Sequence, residues 1–188
     1  MDLNFTVTPP HPLESILVDI EKAIDAGLFY LAVHLALSVP DICGSLECDL
    51  DPDKPWKKVE KRYKDWFTEN LSDKFSIFTV DDCWAMRGGV VHNGTLKSNR
   101  SSAKYDRIVL TLPSNFTLHE CVSADNAGVI ESALQLDAVM FCQQVRDAAR
   151  QWALAKKDDP IVSKNLDNLV RLRPNGIFPH FVGVPVIA

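Results

Sequence analysis

Apolar residues recur at helical spacing through most of the chain, and this pattern predicts six helices. The first is predicted over 13–24, with Gly27 as its C-cap. The second is predicted over 28–47, with a kink at Pro40 and with Asp41 capping the part that follows. It is apolar on most of its sides, so we expect it to be the central core helix. The other four are predicted over 54–71, 80–92, 126–155 and 160–172.

Two short strands are predicted between the fourth and fifth helices. Residues 108–112 and 116–119 have the composition of strands, and Pro113-Ser114-Asn115 separates them as a turn. The sequence therefore predicts a mainly α fold, a helical bundle with a small β-hairpin insertion at about 105–120. The tail 177–188 is apolar, and we expect it to pack on the domain or on a partner chain.

Length, composition and charge limit the classes of function. The 188 residues fit a single domain, and 46% hydrophobic with 24% charged residues is ordinary for a globular protein. A net charge of -5 disfavours a protein that coats nucleic acid through bulk charge. The basic residues are unevenly placed, however, because five of the 20 lie within 57–64. This helix, with Lys57, Lys61 and Arg62, presents either a solvated face or a local surface for a phosphate backbone.

The sequence predicts a cytoplasmic protein without a membrane segment. The most apolar early stretch, 28–39, is shorter than the roughly 20 residues that a spanning helix needs, and the N-terminus has no basic region before an apolar run. Five cysteines occur without any Cys-x-x-Cys spacing, so free thiols are expected, with a zinc site as the alternative. No metal or cofactor is predicted.

The segment 81–94, DDCWAMRGGVVHNG, contains the residues best suited to chemistry. RNA cleavage without metal needs an acceptor for the 2′-OH proton, a proton donor for the leaving oxygen and positive charge at the phosphate. His92 can act as acid or base near neutral pH, and the guanidinium of Arg87 matches phosphate geometry. Asn93 could position a phosphate oxygen. Asp81 or Asp82 could orient the Arg87 or His92 side chain, and His119 is a candidate second acid or base.

The spacing of Arg87 and His92 sets a geometric condition for a shared site. Residues five apart on a regular α-helix lie about 140° apart around the axis. The two side chains therefore converge only if Gly88-Gly89 and the helix end bend the chain, or if the cleft is shared between two subunits. A structural role is an alternative for both residues: Arg87 could pair with Asp81, Asp82 or another carboxylate, and His92 could cap the helix C-terminus.

An Arg followed by four residues and a His at a helix end resembles the motif of the HEPN domains. These are α-helical domains that often dimerise, and many are metal-independent endoribonucleases of toxin–antitoxin, phage-defence and RNA-processing systems. The resemblance implies a bacterial homodimer in which His92 is the acid or base and Arg87 binds the phosphate. It also implies RNA as a substrate and an antitoxin or another protein as a possible partner.

A second resemblance covers most of the chain and implies no function. The stretch 31–46, with Pro40-Asp41-Ile42-Cys43-Gly44, is similar to a family of uncharacterised bacterial proteins. In that family an Arg…His-x-Gly element follows a basic helix, and the chain ends in an apolar segment like Gly183-Val184-Pro185-Val186.

A non-catalytic module is the alternative to the nuclease. Gly88 stands where HEPN motifs commonly carry a polar residue, often Asn, and the net charge is acidic. Both observations favour a helical module that binds a partner protein or a nucleotide. An open electropositive groove around Arg87 and His92 would favour the nuclease, whereas burial of both in salt bridges would favour the module.

Overall fold

A computed structural model describes residues 12–49, 58–98, 101–124 and 132–188. Its helices are α1 (Pro12–Asp25), α2 (Phe29–Leu46), α3 (Val59–Asn70), α4 (Val80–Gly88), α5 (Ala138–Ala155) and α6 (Pro160–Leu166). Its strands are β1 (Arg107–Thr111), β2 (Cys121–Ala124), β3 (Ser132–Asp137), β4 (Leu172–Arg173), β5 (Gly176–Ile177), β6 (Phe181–Val182) and β7 (Val186–Ile187). Helices contain 54% of the described residues, which confirms the mainly α prediction.

The helix α2 lies at the centre of the core, as its apolar sequence predicts. It packs against α1, α3 and α5, and Ala36, Leu37 and Val39 are fully buried. By length and composition α2 could also cross a membrane, but half of it is buried inside the protein. Its hydrophobicity therefore has a sufficient explanation in the core that it forms.

The second helix is not divided at Pro40, so the new segment predicted to begin at Asp41 is absent. α2 is one continuous helix from Phe29 to Leu46 with Pro40 inside it, so Asp41 does not cap a new segment. Proline cannot donate a helix hydrogen bond and is normally costly within a helix. Here the buried ring of Pro40 belongs to the packed side of α2, which favours continuity. As a result, the Asp41 side chain projects from mid-helix and can bind another element.

The predicted β-hairpin is wrong. Only its first strand is present, as β1, and residues 116–119 form no strand. The sheet has the order β1-β3-β2, with β1 parallel to β3 and β2 antiparallel to β3. β1 and β2 therefore do not pair with each other, because β3 lies between them.

The predicted helix over 126–155 begins too early. Residues 126–131 lie outside the described residues, 132–137 form β3, and α5 starts at Ala138. Leu134 and Leu136 alternate with polar positions and are fully buried, which is the period of a strand. Asp137 then caps α5, because its side chain accepts a bond from the Met140 N–H. Both the alternation and the cap can be read in the sequence, although the predicted helix over 126–155 includes these residues.

The ends of two other helices also differ from the prediction. α3 begins at Val59, and 54–57 lie outside the described residues. Asp159 caps α6 and Pro160 occupies its first turn, but α6 ends at Leu166 instead of the predicted Leu172. The residues that follow form four two-residue strands in two small sheets, β4-β7 and β5-β6.

The Glu120 carboxylate connects the sheet to the segment before α4. Its two oxygens accept bonds from the N–H groups of Ser76, Ile77 and Phe78 at 2.9, 2.7 and 3.0 Å. Burial by itself raises the pKa of Glu120, but these three donors outweigh burial, and the pKa lies below its usual value. The ionised carboxylate therefore stabilises the fold, and this contribution is lost as the pH falls through the lowered pKa.

Replacing Glu120 with glutamine is expected to lower the free energy of unfolding by about 1–3 kcal/mol at pH 7, because an amide nitrogen cannot accept one of these bonds. The loss should shrink as the pH falls through the lowered pKa of Glu120, because the wild-type carboxyl is then protonated as well. Urea unfolding at pH 7 and over a series of acidic pH values measures it, with the exposed Glu69→Gln as control. A deficit that is equally large at low pH would contradict the role of the charge.

Candidate functional site

The helix that carries Arg87 begins with a capping box. The Thr79 hydroxyl accepts from the Asp82 N–H, and the Asp82 carboxylate accepts from the Thr79 N–H. The other Asp82 oxygen accepts from the N–H groups of Lys104 and Tyr105, at 2.7 and 3.2 Å. Asp82 is almost completely buried and holds α4 against the chain that leads into β1. Asp82 therefore supports the start of the helix. Its partners in these hydrogen bonds are Thr79, Lys104 and Tyr105, and not Arg87 or His92.

A π-helical turn over Gly89–Asn93 ends the helix and changes its angular spacing. In a π-turn the hydrogen bonds run between residues five apart, so residues five apart are brought to one side. Gly94 has φ 63° and closes the turn through its N–H bond to the Gly89 carbonyl. The backbone of Thr95 packs so closely on Gly89 that a Cβ at this position would overlap the Thr95 oxygen. The π-turn therefore depends on glycine at both ends.

Arg87 and His92 are in direct contact within one chain. The Nη1 atom of Arg87 lies 2.7 Å from Nε2 of His92. A guanidinium has only donors, so Nε2 must accept this bond, and the imidazole is neutral with its proton on Nδ1. The π-turn thus satisfies the first of the two geometric conditions, a bent helix end, without a second subunit. His92 is exposed, whereas the Arg87 side chain is only 18% exposed.

Asp41 of α2 holds Arg87 from the other side. One carboxylate oxygen of Asp41 accepts a hydrogen bond from Nε of Arg87 at 2.8 Å, and the same oxygen forms an ion pair with Nη2 at 2.8 Å. The guanidinium also lies over the Trp84 ring, 5.2 Å from the ring centre. Nε and Nη1 of Arg87 donate hydrogen bonds to Asp41 and to His92. Within the described part of the chain the guanidinium donates no other hydrogen bond, so N–H groups of Nη1 and Nη2 remain for a ligand.

Burial strongly influences the charge of Asp41. Desolvation raises the pKa of its carboxyl, and the charge and hydrogen bond of Arg87, together with the charge of Arg62, oppose this rise without cancelling it. The second oxygen, Oδ1, is buried and has no hydrogen-bond partner among the described residues. Such an atom normally requires a donor, so Asp41 has an unused acceptor beside Arg87.

Some of the predicted site residues lie near this pair and others do not. Arg62 is close enough to Asp41 to influence its carboxyl, and Asn93 is exposed directly after His92. Lys61 is paired with Asp65 at 2.5 Å, and Asp81 is paired with Lys64 at 2.7 Å. Lys57 lies outside the described residues.

The basic helix is therefore largely neutralised by its own neighbours. Besides Asp81, Lys64 also binds Glu60, so both lysines of α3 have carboxylate partners. Such exposed pairs contribute little to stability, but they reduce the positive charge available to a polyanion. The paired lysines of α3 therefore give no support for an open electropositive groove. Arg62 is the residue of α3 that lies near the Arg87 site, since its charge acts on Asp41.

His119 lies in a different environment from His92. Its Nδ1 accepts from the Asp137 N–H at 3.2 Å, and its ring packs on Phe75. Its Nε2 is buried and has no hydrogen-bond partner among the described residues. The predicted role as a second acid or base is not supported by these contacts, which connect β3 to the aromatic core.

A cleft of about 560 Å³ adjoins Asp41. It lies between α2 and α6, and its lining combines Ser45, Lys164 and Asn168 with apolar side chains. Asn165 fixes the two walls, because its Nδ2 donates to the carbonyls of Leu46 and Cys48. Among the described residues no group of three His, Cys, Asp or Glu side chains is arranged to hold a metal ion.

Asp41 is the site residue that sequence reasoning missed as a partner of Arg87. The two residues are 46 positions apart, and the position of Asp41 directly after Pro40 predicts a helix cap instead. The identity of the carboxylate that would pair with Arg87 depends on how α2 packs on α4. No local spacing contains that information.

Comparison with known proteins leaves the resemblances untested. No family model matches the chain, and no characterised protein or solved structure is significantly similar to it. The function must therefore be argued from the side chains that the fold brings together: Asp41, Arg87 and His92.

Proposed function

We propose that the chain is a metal-independent endoribonuclease of HEPN-like type, with His92 as its acid or base and Arg87 as its phosphate ligand. The observation that carries the proposal is the 2.7 Å contact between Arg87 Nη1 and His92 Nε2. It places a neutral imidazole, the form that can accept a proton, beside a permanent cation suited to phosphate.

The reaction needs no group beyond these side chains and water. The 2′-OH gives its proton to Nε2 of His92, and the 2′-oxygen attacks phosphorus. The bond from phosphorus to the 5′-oxygen breaks, and this oxygen takes a proton from the imidazolium or from water. The products are a 2′,3′-cyclic phosphate and a 5′-hydroxyl. Arg87 stabilises the charge on the phosphate oxygens during this step.

Asp41 is a positioning residue in this proposal. It fixes Nε and Nη2 of Arg87 from the side of α2, so the remaining N–H groups keep one direction. A phosphate oxygen that takes the Nη1 hydrogen now bonded to His92 would release Nε2. The freed Nε2 is then the proton acceptor that the 2′-OH needs. The neighbouring charge of Arg62 adds to the attraction of the anion.

A labelled single-stranded RNA incubated with the purified chain in EDTA tests this function. We expect cleavage that leaves a 2′,3′-cyclic phosphate, and we expect a DNA strand of the same sequence to stay intact because it lacks the attacking 2′-OH. Mass spectrometry of the fragments identifies their ends. Equal cleavage of DNA, or intact RNA at high protein concentration, would rule the proposal out.

A non-catalytic module that binds a nucleotide or partner protein is the second candidate. The salt bridge between Asp41 and Arg87 favours it, because the carboxylate already neutralises the guanidinium. The paired lysines of α3 favour it as well. Incubation with labelled RNA and gel analysis separates the two functions: a nuclease shortens the strand, whereas a module that binds a nucleotide or a partner protein leaves it intact.

A further inference from the structure

The last 19 residues, 170–188, form a C-terminal arm whose apolar side chains face solvent. The arm closes on itself, because Arg171 and Ala188 exchange two backbone hydrogen bonds at 3.0 and 3.1 Å. The exposed fractions of its large apolar residues are Val170 61%, Leu172 64%, Phe178 85%, Phe181 60%, Val182 71%, Val184 49% and Ile187 77%. Single exposed apolar residues are normal, but a contiguous group of this size indicates an interaction surface.

A second open apolar surface lies on the body of the chain. This apolar groove, of about 600 Å³, runs between the start of α2 and β1 and is lined mainly by Leu28, Tyr30, Leu31, Leu96, Leu110 and Leu112. Tyr30 is 65% exposed and Leu28 54%. The groove is continuous with a smaller hollow that reaches Val90 and Gly94, on either side of His92. An occupant of the groove would therefore approach the turn that carries His92.

The charges of the arm and of the remaining chain are opposite. The arm contains Arg171 and Arg173 and no acidic side chain. Since these two arginines contribute +2 to a total of -5, the other residues carry -7. A second copy of this chain thus offers the arm both an apolar groove and an acidic body. The opposite net charges favour the approach of the arm to a second copy, while the groove itself is lined by uncharged side chains.

We propose that two copies of the chain exchange their C-terminal arms, so that the arm of each copy lies in the apolar groove of the other. Because the arm and the groove are different surfaces, their contact gives a closed dimer only when each copy places its arm in the groove of the other. Two phenylalanines can bury roughly 300–500 Å² together, and a stable interface needs about 800 Å² per partner. The five other apolar side chains of the arm and the groove wall supply the remaining area.

Sedimentation of the full chain and of matched variants tests the exchange. We expect a wild-type dimer and a dissociation constant at least about 100-fold higher for the arm variant Phe178→Ser/Phe181→Ser, because each phenylalanine loses its burial. The groove variant Leu31→Glu should dissociate to a similar extent. Leu154→Glu is the control, since Leu154 is 72% exposed and belongs to neither surface. All four residues face solvent, and circular dichroism verifies that the variants fold.

Mixing the two variants distinguishes reciprocal exchange from other dimers. The arm variant keeps an intact groove and the groove variant an intact arm, so a mixture should form a mixed dimer held by one of the two contacts. Its affinity should lie between that of the wild type and that of either variant alone. A monomeric wild type, a dimer that survives the arm variant, or an open polymer would each overturn the proposal, and none of these outcomes depends on RNA cleavage.

Discussion

Replacing His92 with alanine is expected to lower the rate constant of RNA cleavage by about 10²–10⁴-fold, because the variant lacks the group that takes the 2′-OH proton. His92 is exposed at the end of a helix, so the fold should persist. Single-turnover cleavage with excess protein measures the chemical step. Thermal unfolding of the same samples separates this loss from a loss of folded protein.

His92→Gln sharpens the test of proton transfer. The glutamine oxygen can accept the Arg87 bond in place of Nε2 but is far too weak a base to take the proton. We therefore expect it to be as inactive as His92→Ala while keeping the contact that holds Arg87. His119→Asn is the control, since it retains an acceptor for the Asp137 N–H that Nδ1 binds. Cleavage near the wild-type rate by His92→Gln would assign His92 a structural role instead.

Replacing Gly89 with alanine should remove most of the cleavage activity and lower the free energy of unfolding by about 1–3 kcal/mol. The added Cβ would overlap the backbone oxygen of Thr95, and a backbone atom cannot move aside as a side-chain end can. The π-turn must then open, and His92 leaves the position in which Nε2 meets Arg87. Urea unfolding measures the stability, and cleavage under fully folded conditions measures the site.

A core substitution far from the turn provides the comparison for Gly89→Ala. Ile20 of α1 is completely buried, and Ile20→Ala should cost about 2–5 kcal/mol by leaving a cavity. Under conditions where both variants are folded, Ile20→Ala should cleave RNA at the wild-type rate. If Gly89→Ala also cleaves at that rate, the π-turn does not position His92, and the contact with Arg87 is incidental to activity.

The helices could largely be predicted from the sequence because their apolar periodicity is local. The start of α4 is an example, since Thr79 and Asp82 three residues apart form a capping box that depends on no distant residue. The sheet could not be predicted in the same way. β1 pairs in parallel with β3, and this choice depends on contacts between segments more than 20 residues apart. The sequence predicts one helix over both β3 and α5, because both segments are apolar.

The candidate site could likewise be predicted only in part. Arg87 and His92 lie in one short segment whose residue types predict the chemistry, and their contact is conditional on a bend of the chain. The bend is a π-turn, which adjacent glycines permit but do not by themselves specify. Asp41 joins the site only because α2 continues through Pro40 and packs beside α4.

The pairing of β1 with β3 has a consequence for the order in which the chain folds. The helices depend on near neighbours in sequence and can form early, whereas this parallel pair joins segments that are 26 residues apart, as Arg107 and Ala133 are, and forms only after that length of chain has closed. Asp82 binds the N–H groups of Lys104 and Tyr105, just before β1, so the first turn of α4 is fully anchored only when that strand arrives. Formation of the sheet is therefore the slow step that we expect to complete the support of the helix carrying Arg87.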